Sequence, residues 1–387
     1  MPTTRPNTKL TKNYLVVFLL LLSTSLTAQW DSIISKFTFS GDFRFRLEQD
    51  WDSRKSDGTF REDRSRLRYR LRAGLEYQHN RNILVGARIR TGNPRKQQDP
   101  QLTLGDAFNE FGTLPIALEK VFFQAEFKKF KFWLGKNTFP FKKQNELFWS
   151  DNVFPEGVHV QKTIDLDSEW IDKLSISTGH FILNSRGGSF TDDSYFQGIQ
   201  IVSQHFDDRA ALWPTLYLLR NVQDIPDGAE TFFLDYSIVS VGGYVKLLRS
   251  PLIKVEMDWY HNLENYDGND LIPQNLKNQK NGLTMAASYG QLSQKGDWLV
   301  MLTYANLQRF SALDFMAQND WARWDYSAFG SPDGRLTNFE GIEFTLGTKI
   351  DKAIVLKMKY YFVDQLVPLD AFTENGQRIR FDIDIKF

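Results

Sequence analysis

The end of the chain constrains the fold more than any other stretch. Ile379, Phe381, Ile383, Ile385 and Phe387 alternate without a fault with Arg378, Arg380, Asp382, Asp384 and Lys386. Neighbouring residues of a strand point to opposite faces, so this segment has one apolar wall and one charged wall. The same period recurs at the start, where Phe37, Phe39, Phe43, Phe45 and Leu47 interleave with Thr38, Ser40, Asp42, Arg44, Arg46 and Glu48. It continues through Leu67, Tyr69, Leu71, Ala73 and Leu75, through Ile83, Val85, Ala87 and Ile89, and late in the chain through Ile354, Leu356, Met358, Tyr360 and Phe362. A soluble sheet avoids so apolar an exposed edge. A closed sheet has no edge, because the last strand pairs with the first.

Continuing the template predicts about sixteen strands, within a range of about 14–18, as in bacterial single-chain barrels. The breaks alternate in length. Short ones fall at 79–82, 128–130, 205–209, 249–252 and 351–352, long ones at 49–63, 91–115, 137–156, 262–281 and 309–339. Short periplasmic turns and long external loops follow from antiparallel neighbours in a membrane barrel, whereas a sandwich has no reason for them. No long segment shows a 3.6-residue apolar stripe. The expected fold is all-β, a transmembrane antiparallel up-and-down barrel. At this strand number side chains do not fill the interior, so polar faces should look inward on water and apolar faces outward on lipid. Tyr69, Tyr77, Trp259, Tyr289, Trp298, Tyr304 and Tyr360 suit the aromatic girdles.

Composition narrows the function. Cysteine is absent and histidine appears five times, which excludes a disulfide framework and a Cys/His zinc site. No cofactor or metal is expected. Arg5, Lys9 and Lys12 precede the apolar run Tyr14–Leu22, and Thr27-Ala28-Gln29 closes the segment. This is the layout of a secretory signal peptide over residues 1–28, leaving 29–387 as one barrel domain. The run is too short to span about 30 Å of hydrocarbon. The full chain has 47 basic and 47 acidic side chains, so loss of the leader leaves it slightly acidic and gives a nucleic-acid partner no support.

Eight arginines, Arg44, Arg46, Arg66, Arg68, Arg70, Arg72, Arg88 and Arg90, share the polar face of the first three long strands. So many guanidiniums in a dry core would be prohibitive without partners, while facing water they cost little. They are the expected pore lining, and such a wall favours anions. Asp106, Asn109, Lys136 and Asn137 are candidates for a constriction loop, because the segments near 91–115 and 137–156 are rich in aromatic residues that need burial.

Several motifs resemble the putative-porin family of Gram-negative, Bacteroidetes-like outer membranes. They are the run Arg64-Ser65-Arg66-Leu67-Arg68-Tyr69-Arg70-Leu71-Arg72, then Arg90-Thr91-Gly92, Leu104-Gly105-Asp106, Leu134-Gly135-Lys136 and Phe154-Pro155-Glu156-Gly157. The resemblance covers residues 37–160 and, generically, the last strand. That family is similar in turn to alginate-export barrels with an arginine-rich lumen. The resemblance implies a porin-like channel in the outer membrane, and no catalytic residue. A final phenylalanine resembles the signature read by the outer-membrane assembly machinery, which here would comprise Ile383, Ile385 and Phe387. The remaining expected partners are lipid, lipopolysaccharide and small anionic solutes, with a homotrimer open as an assembly.

Three functions compete. The first is a passive channel for small, preferentially anionic solutes. The second is a dedicated exporter or importer of an acidic polysaccharide, with Trp321, Trp324 and Tyr326 available to stack sugars. The third is a barrel enzyme, for which only His79, His159, His180, His205 and His261 could serve as imidazole bases. None of the five has a recognisable catalytic spacing, and the expectation is a channel and not an enzyme.

Overall fold

A computed structural model describes residues 34–105, 112–166, 168–189, 191–224, 232–321, 336–368 and 370–387. The strands are β1 (Phe37–Trp51), β2 (Arg64–Asn80), β3 (Ile83–Thr91), the two-residue β4 (Leu102–Thr103), β5 (Ile116–Phe127), β6 (Phe130–Lys136), β7 (Glu156–Asp165), β8 (Lys173–Asn184) and β9 (Ser194–His205). They continue as β10 (Ala210–Gln223), β11 (Phe233–Arg249), β12 (Leu252–Asn262), β13 (Asn281–Gly290), β14 (Trp298–Leu307), β15 (Phe339–Lys349), β16 (Ile354–Gln365) and β17 (Asn375–Lys386). Each long strand pairs antiparallel with its neighbours in sequence, and β17 returns to β1, closing a barrel of 16 long strands. β4 pairs with β2 beyond the end of β3, at Arg68↔Thr103 and Tyr69↔Leu102.

The seam between the chain's two ends is regular. Phe43 faces Ile385, Phe45 faces Ile383 and Leu47 faces Phe381 across it. The Gly41 amide donates to the Phe387 carbonyl at 2.7 Å, and the Phe387 amide donates back at 3.0 Å. The Phe387 ring lies where a side chain on Gly41 would begin. A glycine is needed there because backbone and ring approach so closely.

Alternation decides orientation. Leu67, Leu71, Leu75, Val85, Ile89, Phe381 and Ile383 are exposed on the outer surface. Arg46, Arg68, Arg70, Arg72 and Arg90, on the opposite parity, are buried inside. On the outer face Tyr289 and Trp298 sit toward the short-turn end, and Trp259 and Tyr304 toward the long-loop end, as the two girdles of a membrane barrel require. All short connections gather at one end and all long ones at the other.

The interior is not empty. Residues 137–155 fold inward, and Phe139, Phe141, Leu147, Phe148, Trp149 and Val153 are buried against inward-facing Phe181, Phe196, Tyr217 and Tyr260. Six large apolar side chains in an external loop would be costly in water, and the inner wall of β6 to β12 supplies the surface that covers them. Ring geometry is close: Phe139 stacks on Trp149 at 4.7 Å, and Phe148 on Tyr217 at 4.7 Å and on Tyr260 at 4.9 Å.

Candidate channel interior

The eight predicted arginines all lie on the inner face, and ring closure places carboxylates among them. Four successive rungs of the β1–β17 seam pair opposite charges: Arg44↔Asp384, Arg46↔Asp382, Glu48↔Arg380 and Asp50↔Arg378. Arg44 donates through Nε to Asp384 at 2.5 Å and Arg46 to Asp382 at 2.6 Å, each with a second bond at 3.1 Å, the forked geometry that guanidinium and carboxylate share. On the other side of β1 the register sets Arg44 opposite Arg70 and Arg46 opposite Arg68. Like charges there are relieved by Asp42, which binds Arg70, and by Asp99 of the 92–101 segment, which binds Arg68 at 2.6 Å.

Carboxylates are shared. Glu119 of β5 accepts from Arg72 at 2.8 Å and Arg88 at 2.6 Å and lies 3.7 Å from Arg90. Glu48 serves Arg66 and Arg68, Asp50 serves Arg64 and Arg378, and Asp382 serves Arg46 and Arg380. Since one acid answers two or three guanidiniums, this wall keeps a positive surplus although its arginines are paired. Arg44, Arg66 and Arg88 keep between 21% and 23% of their side-chain surface exposed, so part of that charge meets solvent. The partner acids were the part hardest to foresee. Glu119 is a lone carboxylate in an apolar run, a signal visible in sequence but without an address, and Asp99 and Asp320 sit in loops.

Loops cross from the aromatic side to this wall. Asn152 accepts from Arg72 at 2.8 Å, and the Phe154 ring lies under the Arg88 guanidinium at 5.0 Å. Residues 308–321 join in: the Ser150 amide donates to the Met316 carbonyl at 2.7 Å, and the Gln318 amide to the Glu146 carbonyl at 3.1 Å. The Asp320 carboxylate reaches Arg380 at 2.5 Å, and its carbonyl accepts from Arg378 at 2.6 Å. Gln98 donates to the Ala317 carbonyl at 2.6 Å. Three loops thus interlock across the lumen at the long-loop end.

The other predicted positions separate. Asp106, Asn109, Trp324 and Tyr326 lie outside the described residues. Asn137 closes the base of the inward loop, its carboxamide accepting from the Thr138 amide at 2.8 Å. Lys136 shares its parity with outward Leu134 and ion-pairs with Glu156 on the next strand, so it stands at the rim and not in the constriction. The residues that project into the lumen are instead Lys142 to Phe154. Trp321 is buried against Phe339 and Tyr361. His180 and His261 face outward, bonded to Gln197 at 2.9 Å and Asn281 at 2.8 Å. His159 faces inward, stacked on Trp133 at 5.8 Å.

Comparison with known proteins agrees with this geometry. Residues 56–204 match the profile of a family described as putative porin. Among curated proteins none matches the chain by sequence. Among solved structures it is similar to Pseudomonas putida OprB at high pH, 12% identical over 92% of this chain and 96% of that one, with a TM-score of 0.55. It is also similar to Salmonella typhi OmpF in complex with daunomycin, at 11% identity, 91% and 97% coverage and a TM-score of 0.53. A triple mutant of Rhodopseudomonas blastica porin gives 12% identity, 91% and 100% coverage and 0.50. At such identities the likeness is one of fold.

Proposed function

We propose that this porin-like outer-membrane barrel, whose residues 56–204 carry the putative-porin match, passes small hydrophilic solutes and prefers anions. The single observation that carries the preference is the sharing of carboxylates, with Glu119 alone answering Arg72, Arg88 and Arg90. A surplus of fixed positive charge along a water-filled path with low-dielectric walls concentrates anions and repels cations. The interlocked loops narrow that path on the long-loop side, which suits small solutes better than polymers. Residues 1–28 would direct export.

The test is reconstitution in planar bilayers under a salt gradient. Stepwise conductance with an anion-preferring reversal potential is expected. Replacing the half-open arginines together, Arg66→Gln with Arg88→Gln, should move the reversal potential toward cations by several-fold in permeability ratio. Folded barrels that never conduct would defeat the channel reading, and an unmoved potential would defeat the arginine assignment.

A further inference from the structure

The wall opposite the arginines carries a second concentration of positive charge, and it is built differently. Tyr244 on β11 has three ammoniums near its ring: Lys142 at 4.8 Å from the centroid, Lys246 at 5.5 Å and Lys254 at 5.8 Å. Lys246 and Lys254 are directly opposed in the β11–β12 register, a like-charge rung that costs stability by itself. Asp208 binds Lys246 at 2.5 Å and Glu256 binds Lys254 at 2.8 Å. Among the described residues no carboxylate lies within ion-pairing distance of Lys142, whose ammonium rests on the Trp213 and Tyr244 rings, 4.8 Å from each.

Lys142 is held there by its own backbone. Its amide donates to Gln200 Oε1 at 2.7 Å and its carbonyl accepts from Gln200 Nε2 at 2.9 Å, while the Gln144 amide donates to Asp258 at 2.6 Å. Gly242 leaves the space that the Trp213 indole and Asp258 fill, since a Cβ there would overlap both. The inward loop therefore delivers one ammonium to a fixed place beside two others.

We propose that Lys142, Lys246 and Lys254 form an oxyanion-binding station on the lumen wall, between the inward loop and the short-turn mouth, for a solute bearing a phosphate or carboxylate group. The inference rests on the anion-channel reading and sharpens it, by naming where a solute pauses. Three ammoniums against two carboxylates leave one positive charge unanswered, and an anion with several oxygens answers more than one ammonium at once. Lysine, unlike the forked arginines across the lumen, acts as a point charge on a flexible stem and releases its ligand to the next site. Conduction requires such weak, multiple sites.

Calorimetry of the full barrel refolded in detergent, with inorganic phosphate and glucuronate as separate probes, tests this directly. At least one probe should bind saturably to the wild type. The double variant Lys142→Gln, Lys254→Gln should weaken binding tenfold or more, while Lys136→Gln at the outer rim should leave it unchanged. Retained barrel mobility of unheated protein on a gel shows that each variant has folded. Equal affinity in the double variant, or no saturable binding of either probe to wild type, overturns the station. The parent reading is judged separately by the bilayer reversal potential: anion preference without binding sinks the station alone, and lost preference sinks the channel reading.

Discussion

The arginine wall of β17, β1, β2 and β3 and the aromatic wall of β6 to β12 face each other across one lumen and are stabilised by opposite means. On the first, charged side chains meet rung by rung between strands, and each guanidinium is answered within a neighbouring strand or a loop tip. On the second, glycine and aromatic residues make an apolar surface that a folded-in loop covers: the Phe141 ring occupies the space above Gly198. The contrast teaches that a wide barrel need not treat its interior as one environment. Where strands bring charge, ion pairs span the space between them. Where they bring rings, the chain supplies its own core.

The largest expected effect comes from removing a shared acid. Glu119→Gln takes the carboxylate from three arginines, and breaking a buried ion pair costs about 3–5 kcal/mol. Urea unfolding in lipid vesicles should show that loss, and folded channels should show increased anion preference. A neutral result would mean that the wall is wet enough to dispense with Glu119. Next comes Trp149→Ala, which empties the centre of the loop's aromatic packing and should cost about 3 kcal/mol by large-to-small core precedent. Its conductance should rise as the loop loosens, while its ion preference stays, because no wall charge changes.

A glycine pair sharpens the comparison further. A Cβ on Gly198 would stand 2.4 Å from the Phe141 ring, so Gly198→Ala must push a packed aromatic and should cost about 1–3 kcal/mol. On the arginine side the nearest atom to a Cβ on Gly74 is Ser40 Oγ at 3.2 Å, and Gly74→Ala should fall within about 0.5 kcal/mol of wild type in the same unfolding assay.

The smallest effect is a pH dependence at the β9–β10 turn. Burial alone would raise the Asp208 carboxyl, but hydrogen bonds from Lys246 and Tyr244 outweigh it and hold its pKa below the ordinary aspartate value. A depressed carboxylate contributes stability above its unfolded pKa and loses it as pH falls through the folded one. Protection of the turn amides against hydrogen exchange should therefore fall slightly under acid, and Asp208→Asn should abolish that pH dependence. An unchanged slope in the variant would assign the effect to another group.

Much of this fold was legible. The alternation of Ile379 to Phe387 and of Phe37 to Glu48 located the seam strands, which the structure gives as β17 and β1. The inward orientation of the arginines followed from the same periodicity. The constriction was legible only in part. The aromatic content of 137–156 announced a need for burial, but Lys136 at its start turned out to belong to the rim, because Gly135 and the β6–β7 register keep it on the outward parity.

By itself the sequence determined which side chains share a face and how long each connection is, since both depend on residues one or two places apart. Only the tertiary structure decided how the charge is divided. Arg46 finds Asp382 across 336 residues because the sheet closes on itself, and Asp320 arrives on the loop that joins β14 to β15. Pairwise electrostatics falls off over a few ångströms, so the sign of a wall depends on which strands and loops become neighbours, and period two holds no record of that.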